Sequence, residues 1–148
     1  MDLQWRKLTL ADKVDATRVI PLTPYLAQKL STLLRTNEFV LASTGKADRI
    51  ADTRASHTKA LQSAGIDGLN IHGLRRSFSL LGESAEAPAG AIAQVMGHKP
   101  STTAEGYRPR SVGALRPYLA QIEVHVLAQA GIVFDTKAAP GALHIGSG

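Results

Sequence analysis

The sequence predicts a mixed fold, mainly α-helical, with a small antiparallel β-hairpin at its N-terminus. Three observations predict it. Two short stretches near the start, Leu3 to Leu10 and Thr17 to Leu22, carry strand-forming residues around a polar run, Ala11 to Ala16. From Thr23 onward the chain carries helix punctuation: Thr-Pro at a start, glycine at the stops Gly65, Gly97 and Gly131. Between these marks the apolar residues recur at spacings of three and four.

The elements follow in order. The hairpin lacks the Asn-Gly or Asp-Gly pair of the tightest turns, so a loop of a few residues joins its strands. Thr23 caps a helix with Pro24 at its first position, and Leu26, Leu30, Leu33 and Leu34 form one stripe to bury. Phe39-Val40-Leu41 is a short apolar segment that suits a third strand. A helix of weak apolar pattern runs from about Asp48 to Ala64, carries Arg49, Arg54, His57 and Lys59, and stops at Gly65. The next helix starts near His72 and turns Leu74, Phe78, Leu81 and Ala85 to the core. Pro88 opens another, with Ile92, Val95 and Met96 apolar and Gly97 as its stop. Thr102-Thr103-Ala104-Glu105 has the form of a capping box, which predicts a short helix that carries Tyr107. Val112, Leu115, Leu119, Ile122 and Val126 predict a long amphipathic helix ending at Gly131. One domain over 1–131 is expected, then a Gly- and Ala-rich flexible tail over 132–148. Its apolar start, Ile132 to Phe134, either folds back on its own domain or docks on a neighbouring copy.

Composition narrows the function. The 148 residues hold 17 Lys and Arg against 12 Asp and Glu, a formal charge of +5. That balance suits a polyanion, nucleic acid first, though it also describes a merely basic globular protein. There is no cysteine, which excludes disulfides, thiolate catalysis and Cys-ligated zinc. No apolar run reaches the ~18 residues needed to span a bilayer. The N-terminus has no apolar core of a secretory signal, so the chain reads as cytoplasmic, without a membrane partner.

Four residues, His72, Arg75, His98 and Tyr107, carry a chemistry. Breaking a phosphodiester with a side chain needs a nucleophile for phosphorus, donors for the non-bridging oxygens and an acid for the leaving oxygen. Tyr107 can attack and hold the phosphate as an ester that keeps the bond energy for rejoining. His72 and Arg75 are three apart on a predicted helix, hence on one face. The Arg75 guanidinium can grip two phosphate oxygens, and His72 can donate to the phosphate or move the tyrosine proton. Each piece alone has an ordinary reading: a helix start, a glycine stop followed by an exposed histidine, a half-buried aromatic.

Together they form a pattern. The run His72-Gly73-Leu74-Arg75-Arg76-Ser77-Phe78 is followed by Met96-Gly97-His98, Thr102-Thr103 and Tyr107. Arg75 and His98 are 23 residues apart, and Tyr107 stands nine after His98. This order and spacing resembles the catalytic domain of the tyrosine recombinase (phage integrase) family, and Arg18-Val19-Ile20-Pro21-Leu22 resembles a strand of that domain. The resemblance covers roughly residues 2 to 131. It implies the DNA breaking-rejoining fold, with Tyr107 as the nucleophile of a 3′-phosphotyrosine link and Arg75 on the scissile phosphate. It implies that His72 assists proton transfer, that His98 contacts a non-bridging oxygen, and that Lys13, eight residues before Pro21, is the general acid. Arg76 and Lys99, beside these residues, are candidate DNA contacts. No cofactor or metal is implied. The partners implied are double-stranded DNA and other recombinase protomers, in a bacterial or phage-encoded system that integrates or excises a mobile element.

The resemblance also sets a departure. The family's first catalytic arginine lies on a helix upstream of the first strand, and neither Arg6 nor Arg18 matches it. The expectation is therefore a recombinase truncated at its N-terminus and inactive as an isolated chain. The alternatives are a type IB topoisomerase-like enzyme, which shares the chemistry, and a DNA-binding remnant without catalysis.

Overall fold

The computed structural model describes residues 6–11, 17–34, 36–40, 42–43, 50, 52–98 and 109–135. It contains two strands and five helices among these: β1 (Lys7–Ala11), β2 (Thr17–Pro21), α1 (Pro24–Ser31), α2 (Arg54–Ala64), α3 (Ile71–Ser84), α4 (Ala89–Met96) and α5 (Val112–Gln129). The fold is thus mixed and mainly helical, with a two-stranded antiparallel sheet at the N-terminus. The chain divides into two compact units, residues 1–32 with 81–148 and residues 33–80. No helix among the described residues is long and apolar enough to cross a membrane.

In the larger unit the hairpin pairs Leu8 with Ile20 and Leu10 with Arg18 on one face, and Thr9 with Val19 on the solvent face. This is the period of two that a half-buried ribbon requires. Pro21 ends β2, and the Leu22 N–H donates to the Arg6 carbonyl at 2.7 Å, closing the ribbon. Leu22 and Leu115 are each 1% exposed and anchor the core where α5 packs on β2. Full burial of such a side chain contributes about 1.5–3 kcal/mol. Ile92 of α4 shares a small apolar cleft with Leu115, Leu119 and Ile122 of α5. The end of α3 joins this core closely: a Cβ on Gly82 would stand 2.7 Å from Ile92 Cδ1.

Helix α1 is held from outside itself. Its first N–H groups have no intrahelical acceptor, and Thr23 makes no side-chain cap bond. The Glu123 carboxylate of α5 takes them instead, from Tyr25 N at 3.0 Å and Leu26 N at 3.1 Å. A carboxylate at a helix N-terminus also meets the positive end of the helix dipole. The Tyr25 ring then receives the edge of Phe134, centroids 5.2 Å apart at 86°. Phe134 therefore folds back on its own unit, beyond the Gly131 turn.

Several expectations need correction. The α1 stripe does not form: the helix stops at Ser31, Leu33 and Leu34 lie past it, and Ala27 is its buried residue. The Ser31 and Thr32 hydroxyls donate to the Gln28 and Lys29 carbonyls, which ends the ladder. Phe39 and Val40 lie outside the two-stranded sheet, the Phe39 N–H donating to Asn37 Oδ1 at 2.9 Å, and Leu41 lies outside the described residues. Helix α2 begins at Arg54, where Asp52 accepts the Arg54 N–H, and it buries none of its residues. Of the four residues expected to face the core from the next helix, Ala85, just past the end of α3, is buried, Phe78 and Leu81 are half-buried, and Leu74 is 46% exposed. In α5 the last buried residue is Leu127 and not Val126. Leu3 to Trp5 and the expected helix from Thr102 to Tyr107 lie outside the described residues.

Two changes of opposite sign test this account by urea unfolding. Glu123→Ala strips both acceptors from α1 and is expected to cost about 1–2 kcal/mol, with Glu123→Gln intermediate. Glu86 sits at φ 57 in the turn after α3, where its N–H donates to the Glu83 carbonyl. Glu86→Gly relieves that left-handed backbone and is expected to stabilise by about 0.5–1 kcal/mol.

Candidate functional site

The smaller unit carries His72, Arg75 and Arg76. All three are on the N-terminal half of α3 and all are exposed. His72 and Arg75, three apart, share a face as expected. The start of this helix is fixed by Asn70: its Oδ1 accepts the Gly73 N–H at 2.7 Å, and its carbonyl accepts the Leu74 N–H at 3.1 Å. The approach to Asn70 is fixed in turn by α2, whose His57 Nε2 donates to the Leu69 carbonyl at 3.0 Å. His57 and Asn70 thus set where His72 and Arg75 begin, each through a bond to backbone.

At the head of α2, Arg54 makes a forked pair with Asp52, Nε at 3.0 and 2.9 Å and Nη2 at 2.6 Å. The side-chain bond to Arg54, then the backbone bond, hold the Asp52 carboxyl below its usual range. The pair is open to solvent and adds little stability. Its consequence is local: a phosphate that approached Arg54 would have to displace this carboxylate.

The larger unit carries His98. Helix α4 ends where Gly97 enters the left-handed region at φ 69, a conformation costly for any residue with a Cβ. Gly97 N donates to the Gln94 carbonyl at 3.1 Å and His98 N to the Ala93 carbonyl at 2.9 Å. His98 leaves this turn exposed. Gln94 also holds Arg110: its side chain donates Nε2–H to the Arg110 carbonyl at 2.7 Å and accepts the Arg110 N–H at 2.8 Å. Ser111 then caps α5 through Oγ and the Ala114 N–H at 3.2 Å.

Lys13, Lys99 and Tyr107 lie outside the described residues. The structure therefore places His72, Arg75 and Arg76 together on one helix of one unit, and His98 in the cap of a helix of the other. Sequence reading missed Asn70, His57 and Gln94. Asn two residues before His72 is a recognisable cap signal; the other two bind backbone 12 and 16 residues away and leave no local pattern.

The chain is similar to the prophage integrase IntF of Escherichia coli (strain K12), 39% identical over 145 residues. The match takes in 93% of this chain and 31% of IntF, so the chain spans about a third of the length of that relative. No protein-family model matches the chain, and no solved structure matches it.

Asn70→Ala tests the local order of the site. It is expected to loosen the first turn of α3 by about 1 kcal/mol, raising amide exchange at Gly73 about fivefold. Exchange in α5 should not change.

Proposed function

We propose that this chain is the catalytic part of a tyrosine-type site-specific DNA recombinase that integrates or excises a mobile element. One observation carries the reading: His72, Arg75, His98 and Tyr107 stand in strand-transfer order in a chain 39% identical to a prophage integrase. The basic charge of +5 fits a duplex DNA partner.

The reaction balances without a cofactor. The Tyr107 phenolic oxygen attacks phosphorus, and the bond from phosphorus to the 5′-oxygen breaks. The phenolic proton passes to His72, and the leaving 5′-oxygen takes a proton from Lys13. Arg75 and His98 neutralise the non-bridging oxygens as charge grows on them. The product is a 3′-phosphotyrosine ester and a free 5′-hydroxyl. Rejoining runs the same steps backward with the 5′-hydroxyl of another strand, so the active form holds several protomers on two DNA sites. Arg76 and Lys99 contact the flanking backbone.

The test replaces the matching region of IntF with residues 1–148 and traps covalent protein–DNA complexes on nicked duplexes of random sequence. A complex is expected with the wild-type sequence and with Tyr118→Phe, and none with Tyr107→Phe, whose duplex affinity should be unchanged. Arg75→Lys should slow trapping by about 10²–10³. A covalent complex that survives Tyr107→Phe sinks the reading.

A further inference from the structure

The charge at the head of α2 is already engaged. Asp52 grips Arg54 by two guanidinium nitrogens, and its Oδ1 also accepts the Arg54 backbone N–H at 2.9 Å. That third attachment pins the carboxylate to the start of the helix, so it cannot follow the guanidinium outward. Resting on the reading of this chain as a DNA recombinase, we infer that Asp52 competes with DNA for Arg54. It withholds the guanidinium from the phosphates of duplex met at random.

Charge brings the duplex to this part of the chain. Residues 33–80 hold seven Lys and Arg against four Asp and Glu, a formal +3. Helix α2 buries none of its residues, and none of its eleven is acidic. An exposed basic and polar surface of this kind is complementary to a polyanion. On it the Arg54 side chain is the obvious phosphate ligand, being 84% exposed with a planar fork of donors.

The fork changes what Arg54 can offer. A lone guanidinium that meets a phosphate neutralises it and releases a counterion. Arg54 and Asp52 together carry no net charge, so a phosphate that meets the pair releases none. It must displace a carboxylate tethered two residues away, which competes as an intramolecular ligand. It must then sit beside the negative charge it has displaced, a like-charge contact that disfavours binding. The pair adds little to stability because it is exposed, and its effect falls on binding instead.

Asp52→Asn separates the two jobs of the side chain. Asparagine keeps an oxygen for the Arg54 N–H and gives up the charge. The test compares the full 148-residue chain as wild type, Asp52→Asn, Arg54→Gln and the double variant. Binding to a random-sequence duplex is followed from about 50 to about 200 mM salt. Asp52→Asn should steepen the dependence of log affinity on log salt by about one unit. Arg54→Gln should take about one unit from that slope in the Asp52→Asn background and much less with Asp52 in place. In nitrogen-15 spectra, duplex should shift the Arg54 Nε–H resonance of Asp52→Asn and leave that of the wild type in place. The wild-type spectrum needs no substitution, so it tests the inference even where a variant folds poorly. A shifted wild-type resonance overturns the role of Asp52, as does an equal loss of slope from Arg54→Gln in both backgrounds or no loss in either. Each of these leaves the recombinase reading intact. Failure of all four forms to bind duplex overturns that reading, and the inference that rests on it.

Discussion

The Glu123 carboxylate takes the two N–H groups that α1 cannot satisfy within itself. Much of the larger unit follows from that contact. It fixes α1 to the middle of α5 and so places Tyr25, on which Phe134 closes from beyond the Gly131 turn. Helix α5 then serves as the spine. Its Leu115 packs where β2 ends, and its Leu119 and Ile122 share the cleft with α4. A short helix of eight residues would be marginal in isolation; a charged acceptor from a neighbouring helix supplies what its own sequence lacks.

The elements legible in the sequence were those whose signal is periodic or punctuated. The hairpin, the stops at Gly65, Gly97 and Gly131, and the helix through Leu115, Leu119 and Ile122 all appear where period and glycine put them. What failed was the inference from apolar spacing to burial. Leu26, Leu30, Leu33 and Leu34 have helical spacing, but the Ser31 and Thr32 hydroxyls end the helix first. Leu74 has the spacing of a core residue and is 46% exposed; it belongs to the smaller unit, whereas residues 81–84 of α3 belong to the larger. Spacing reports which residues share a face. Whether a face is covered depends on what lies opposite, and that is a property of tertiary packing.

The candidate site divides along the same line. His72 and Arg75 on one helical face, and His98 after a left-handed glycine, follow from local rules. The side-chain anchors on nearby backbone do not. His57 reaches the Leu69 carbonyl and Gln94 reaches Arg110, each by a side chain that bonds backbone across a loop. Such bonds have no period, and glutamine at a helix position is ordinary by propensity. Only the folded geometry separates this glutamine from any other.

A consistent division of labour emerges. Asn70, His57, Gly97 and Gln94 spend their hydrogen bonds or conformation on backbone, while His72, Arg75, Arg76 and His98 are exposed. Exposed charges gain little from a phosphate while water screens them, and the same charges gain far more once water is excluded. On the strand-transfer reading, then, the exposed His72, Arg75 and His98 gain their hold on phosphate once the duplex excludes water. The chain fixes where each donor leaves the backbone and lets the duplex supply the desolvation. The energetic consequence is a rate that depends on backbone anchors as strongly as on the groups that touch phosphate, since a donor displaced by an ångström forfeits much of its stabilisation of the transition state.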